Sequence, residues 1–209
     1  MYGLQILSQP AEEPVTVAEL RDWCRISGTD SDGILQGLGL AARQMLERQY
    51  GRAIVTQTLR MTLDNFPVPA GWEPLRYTPP WPPWWSIRLP RSPLVSVSQV
   101  RYLDLSDTLR VLATNVYRVD ATREPGRITL AFGQVWPVTR PDPAAVQIDF
   151  VAGQAAHDVP EDIKLAIKFC VAAWIENRGE APPGQSLTIP EAAKALMLSR
   201  WDGELEAGL

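Results

Sequence analysis

Between Pro160 and Arg178 the chain reads PEDIKLAIKFCVAAWIENR, and from Ile163 to Ile175 only Lys164 and Lys168 are polar. At 3.6 residues per turn, Ile163, Ala166, Ile167, Cys170, Val171, Trp174 and Ile175 share one stripe. Leu165, Phe169, Ala172 and Ala173 form a second stripe beside it. A helix apolar nearly all round cannot leave its outer side in water. Either its own domain covers it completely, or another subunit does.

The residues that lead into this helix hold the only histidine of the chain, His157, amid Asp158, Glu161 and Asp162. Asp158 stands three residues before Glu161 with Pro160 between, an arrangement for starting a helix. Glu161 and Asp162 lie where the positive end of the helix dipole favours anions. Acid–base chemistry at His157 would require an activated nucleophile or a bound metal nearby. The chain has no second histidine, no G-x-S-x-G and no paired-cysteine motif. The expected catalytic, metal and cofactor-binding residues are therefore none, and an enzyme is not expected.

Helical patterns also open the chain. In TVAELRDWCRI, Thr16 and Glu19 have capping-box spacing, and Leu20, Trp23, Cys24 and Ile26 make a buried stripe. A second helix runs through ILQGLGLAARQMLERQYG with Ile34, Leu38, Ala41, Ala42, Met45 and Leu46 as its apolar positions. Gly37 and Gly39 imply close approach by a neighbour or weak helicity, and Gly51 is a stop. Near the end, PEAAKALMLSRW reads as a short helix from Pro190, followed by the acidic tail DGELEAGL.

The middle of the chain changes period. Leu59, Met61 and Leu63 alternate with polar residues, as do Ile128, Leu130 and Phe132, and Val146, Ile148 and Phe150. In LVSVSQVRYLD the phase holds at Val95 and Val97, then slips to Val100 and Tyr102, which predicts a β-bulge near Ser98–Gln99. TLRVL and VYRVD read as shorter strands of a meander. Connections this short predict an antiparallel sheet.

The formal charge of −4 and the absence of a dense Lys/Arg cluster disfavour gripping of nucleic acid, which needs cations to displace phosphate counterions. No apolar run reaches membrane-span length, and MYGLQILSQPAEEP lacks the basic start and apolar run of a signal peptide. Two cysteines, Cys24 and Cys170, fall at apolar-rich helical sites and read as buried free thiols of a reducing compartment.

Residues 67–86, PVPAGWEPLRYTPPWPPWWS, concentrate the proline and tryptophan of the chain. Trp81, Trp84 and Trp85 either cover the open face of the sheet, dock on a neighbouring subunit, or offer a platform to sugar. A sugar site would normally bring Asp, Asn and Gln, which this loop lacks.

Four stretches, in order, resemble the head–tail connector (adaptor) family of long-tailed bacteriophages and gene transfer agents. They are VTVAELRDWCRISGTDSDGIL, GLAARQMLERQYGRAIVTQTLRMTLDNFP, IRLPRSPLVSVSQVRYLD and IDFVAGQAAHDVPEDIKLAIKFCVAAWIENRGE. They match the opening helix and acidic turn of the family, its Ala-rich helix with a GRA turn into the first strand, its LPR-x-PL link, and its strand–Gly–turn–Val-Pro–helix close. The Pro/Trp loop departs from the pattern, being longer than the usual link.

Together with the helix–strand–helix order, the resemblance implies an α+β fold. Residues 1–54 and 153–209 would build one helical bundle, the latter ending in the acidic tail. Residues 55–152 would be an inserted antiparallel β-rich segment carrying the 67–86 loop. The implied function is that of a structural virion protein, a ring subunit joining portal to tail and letting DNA pass without specific binding. Its partners would be the portal, a tail-side stopper or tail terminator, and copies of itself. The ring would be twelvefold in the particle, with a monomer left open for the free chain. Its place would be the head–tail interface of the virion, and the host cytoplasm during assembly, with no membrane and no cofactor.

Subunits would meet through Leu165, Phe169, Ala172 and Ala173, together with Trp81, Trp84 and Trp85. The portal would be met by Leu196, Met197, Trp201, Glu204 and Leu205, ordering on docking. The alternative is a monomeric binding module that uses the Pro/Trp loop for sugar or peptide.

Overall fold

Period-two and period-3.6 segments sort into two units in the computed structural model, which describes residues 2–67, 86–176 and 188–200. One unit comprises residues 1–9 and 56–153, the other residues 10–55 and 154–209. The described chain is thus mixed α+β, with four helices and antiparallel sheets.

The β unit holds a five-stranded sheet in the order β1 (Gly3–Ser8), β2 (Gln57–Leu63), β8 (Val146–Ala152), β4 (Leu94–Leu103), β5 (Leu109–Val111). A three-stranded sheet runs β3 (Ser86–Arg88), β7 (Arg127–Leu130), β6 (Tyr117–Asp120). The register places Leu59 opposite Phe150 and Met61 opposite Ile148, so the alternating apolar residues share one face. Arg60 and Asp149 pair on the other.

The bulge expected in β4 is present, with the register shifting between Val97 and Gln99. It brings Val97 opposite Phe150 and Val100 opposite Ile148, two partners of one phase that an odd spacing would otherwise split. A second shift, between Leu94 and Ser96, turns Val95 outward, against expectation. Phe132 lies beyond the end of β7 and is fully exposed, so it does not continue that strand's buried phase. Buried side chains come from both sheets, among them Leu59, Ile148 and Phe150 from the first and Ile87, Tyr117 and Ile128 from the second. Gly126 is fixed by close approach, since a Cβ there would lie 2.5 Å from the Leu94 Cβ.

Two expectations about this unit need correction. The N-terminal block is not helical throughout, because Gly3–Ser8 pairs with β2 as an edge strand of the sheet. Nor are the strands one meander, because β8 inserts between β2 and β4 and the three short strands β3, β6 and β7 form their own sheet.

In the helical unit, α1 (Val17–Trp23) starts with the expected capping box: Thr16 Oγ1 accepts from the Glu19 N–H at 3.2 Å and Glu19 Oε2 from the Thr16 N–H at 2.8 Å. α2 (Asp32–Tyr50) ends at Gly51 with a left-handed φ of 62°. α3 spans Glu161–Glu176 and α4 Glu191–Arg200. Leu20, Leu35, Ala42, Leu46, Ile163, Ile167, Cys170, Ala193 and Met197 belong to one core shared by all four helices.

α1 and α3 run in the same direction, since Glu19 pairs with Lys168 while Cys24, at the end of α1, feels the charge of Glu176 at the end of α3. α2 runs against both. Arg21, near the end of α1, pairs with Asp32 at the start of α2, and Ile54 and Val55, past the end of α2, meet Gln154 ahead of α3.

The buried face of α2 is rotated from the expected one. Leu35, Gly39, Ala42, Arg43, Leu46 and Glu47 point inward, whereas Ile34 and Ala41 point out. The rotation follows from two buried charges that an apolar count passes over. Arg43, 1% exposed, donates to both Glu13 oxygens at 2.7 and 3.0 Å and to Glu47 at 2.8 Å. Glu47 in turn accepts from the Ile54 N–H at 2.8 Å. Gly39 answers to close approach, its would-be Cβ lying 3.0 Å from Leu20 Cδ1, while one on Gly37 would meet nothing within 4 Å. Asp158 belongs to a 3-10 turn, Ala156–Asp158, and α3 begins after it. The Pro160 carbonyl, rather than the Asp158 side chain, receives the Ile163 and Lys164 N–H groups.

Candidate functional site

The His157 side chain is 81% exposed and lies 3.4 Å from the open Asp158 carboxylate, itself 66% exposed. No group of three or more His, Cys, Asp or Glu among the described residues is placed to hold a metal ion. Burial pushes the Cys170 thiol up to about 11 and raises Cys24 as well, so both stay protonated and weakly nucleophilic. Among the described residues no helix is long and apolar enough to cross a membrane.

Two helical surfaces stand out among the described residues. On α3 the second apolar stripe lies half-buried: Leu165, Phe169, Ala172 and Ala173 are neither in the core nor fully in water. The Phe169 ring meets Trp23 of α1 edge-to-face, with centroids 5.6 Å apart and planes at 89°. Trp23 was expected in the buried stripe of α1 but is 42% exposed, because Leu20 takes the inward position and Trp23 instead borders Phe169. Lys168 and Glu19 flank the pair at 3.4 Å. Hydrogen bonding to the Thr16 N–H, against desolvation, holds the Glu19 carboxyl below its usual range, with Lys168 adding to it. Four of the seven residues expected at a subunit contact thus lie on one helix beside an exposed tryptophan; Trp81, Trp84 and Trp85 lie outside the described residues.

The outer face of α2 is a second surface. Ile34 is 51% exposed and Leu40 38%, with Gly37 and Ala41 between them. The sequence pattern held the signal, since apolar residues at Ile34 and Ala41 stand off the phase of Leu35, Ala42 and Leu46.

The residues expected at the portal separate. Met197 is 1% exposed in the core of the helical unit, so it cannot offer its side chain to a partner. Leu196 is partly buried against the same core. α4 packs in the free chain, so its order does not wait on docking. Trp201, Glu204 and Leu205 lie outside the described residues.

In the β unit Asp149, nearly buried, accepts from Arg60 at 2.6 and 3.0 Å, from Gln99 at 2.9 Å and from Arg101 at 3.2 Å. Hydrogen bonds from Arg60 hold its carboxyl below the usual range despite desolvation, helped by Gln99 and Arg101. The cluster ties three strands together on the face away from the apolar one. Each of its strands carries one charged residue between apolar neighbours, a pattern open to reading but not read as a cluster.

No protein-family model and no curated protein sequence matches the chain. Solved structures do match in fold. A chain from the neck of an empty gene transfer agent particle computed with C6 symmetry has a TM-score of 0.73 at 22% identity, over 99% of this chain and 98% of that one. A chain from the virion of a native gene transfer agent particle gives 0.70 at 21% identity, over 98% of each. One from the neck of a native particle computed with C12 symmetry gives 0.62 at 21%, over 93% of this chain and 94% of that. At such identities the likeness establishes a shared fold, and it runs through both units from end to end.

Proposed function

We propose that this chain is a structural neck protein of a phage-like particle, an adaptor-ring subunit that joins the portal of the head to the tail. The observation that supports this reading is the fold likeness to neck chains of gene transfer agent particles across 99% of this chain and 98% of the other. A match so complete leaves little of the chain for an unrelated activity. The symmetry of those particles' necks, C6 and C12, supports a ring.

The surfaces fit an assembly role. Apolar faces stand on α2 and along α1–α3, and the acidic balance of −4 suits a ring through which DNA moves without being held. Leu165, Phe169, Ala172 and Ala173, with Trp81, Trp84 and Trp85, serve contact between copies. Trp201, Glu204 and Leu205 serve contact with the portal, beside Leu196, while Met197 serves the core. A stopper or tail terminator takes the tail side.

The test is deletion and complementation in a producing strain. Without the chain, DNA-filled heads and free tails should accumulate separately in electron micrographs, and the full chain should rejoin them. Tailed particles of normal yield in the deletion strain would sink the reading.

A further inference from the structure

We propose that the outer face of α2 in one copy seats on the outer face of α1–α3 in the next, joining copies head to tail. This deepens the ring reading and rests on it.

The two faces match in spacing, size and charge. On α2, Ile34, Gly37, Ala41, Gln44 and Arg48 repeat at intervals of three and four, all on the side away from the core. On α3, Asp162, Leu165, Phe169, Ala172 and Glu176 repeat at the same intervals on the half-buried side, with Phe169 resting partly against the core. The first stripe is hollow in the middle. A Cβ on Gly37 would meet nothing within 4 Å, so the chain's own packing gives no reason for a glycine that weakens the helix. The second stripe is a ridge, where Phe169 stands against Trp23. The only charge on the hollow stripe is the exposed Arg48, whereas the ridge begins at Asp162 and at Glu161, an open carboxylate that also meets Lys164 at 2.9 Å, and ends at Glu176. An ordinary solvent face would carry more charge than Ile34–Gln44, which has none on this side.

Ring geometry chooses the direction. Within the chain α2 runs against α3, since Ile54 and Val55, just past the end of α2, meet Gln154, ahead of the start of α3. A twelvefold ring turns each copy by about 30° from the last, so the neighbour's α3 also runs against α2. In that register Phe169 lies over Ala41, and Arg48 comes beside Glu161 and Asp162. Because the two faces lie on different helices, one copy can use both at once, which a closed heterologous ring needs. The occupant is therefore a second copy of this chain.

Full-length Arg48→Cys and Glu161→Cys chains test this, separately and mixed, with a short bismaleimide and the unaltered chain as the blank. Cross-linked dimer should form in the mixture in excess of either variant alone. Adding Gly37→Leu to the Arg48→Cys chain should cut that product by roughly tenfold or more, filling the hollow without lowering the melting temperature. No mixed product, a mixed product matched by either homodimer, or one indifferent to Gly37→Leu overturns the proposal. Because the readout uses purified chain, it stands apart from the deletion experiment on particles.

Discussion

Asp149 shows how much rests on single side chains in the β unit. It sits at 4% exposure between two guanidinium groups, so removing its charge leaves Arg60 and Arg101 facing each other across β8. Asp149→Asn should cost about 2 kcal/mol at pH 7, read from urea unfolding. The carboxyl titrates lower in the folded chain than its unfolded value of about 3.9. Its stabilisation is therefore complete above that value and is lost as pH falls through the folded pKa. The gap between wild type and Asp149→Asn should accordingly narrow as pH falls from the unfolded value through the depressed folded pKa; an unchanged gap would mean the carboxylate charge contributes nothing. The two glycines of α2 give a contrast at the same scale. Gly37→Ala should raise stability by up to about 1 kcal/mol, since its methyl group enters open space. Gly39→Ala should gain less or lose, because Leu20 must move aside. His157→Ala, on an open turn, should stay within about 0.5 kcal/mol of wild type.

Among the elements, α4 tests whether the C-terminal region belongs to the folded unit. Ile189, Ala193 and Met197 enter the core, so truncation after Ser186 should destabilise the helical unit by several kcal/mol, on the order of a large-to-small core change at each site. Truncation after Arg200 spares them and should leave thermal unfolding unchanged while removing the proposed portal contact. Equal melting of the two truncations would contradict the packing of α4. The same comparison shows what was legible in the sequence. The capping box of α1, the stop at Gly51, the bulge of β4 and the inward stripe of α3 rest on local patterns, and all are found. β1 escaped because Gly3–Ser8 gains its strand only from pairing with β2, with little burial to leave a pattern. The α2 phase escaped because Arg43 and Glu47 are inward on account of Glu13 and Ile54, partners distant along the chain. The two-sheet arrangement is likewise a matter of long-range pairing. The apolar face of α3 was read from spacing, and its nearness to Trp23 required the fold.

For the whole molecule the question is whether a ring of such chains would hold DNA or let it slide. Net charge alone is a weak guide, since a chain at −4 can still carry a cationic groove. The pairing of individual arginines is more telling. Arg21 is bound to Asp32, Arg43 to Glu13 and Glu47, Arg60 and Arg101 to Asp149, Arg110 to Asp104, Arg127 to Asp120, and Arg140 to Asp107 and Asp142. A guanidinium already matched by a carboxylate releases few counterions when a phosphate approaches, so the salt-dependent gain that drives non-specific binding is small. The purified chain should therefore show no measurable anisotropy change with a labelled duplex at about 0.15 M salt, and only weak binding at lower salt. Assembled rings of the unaltered chain should behave alike, because joining copies through α2 and α3 would engage Arg48 with Glu161 and remove a further cation from the surface. Tight duplex binding with a steep salt dependence would show that phosphates outcompete these carboxylates. A ring with that property would brake DNA in transit, and the sliding role proposed for this chain would have to be given up.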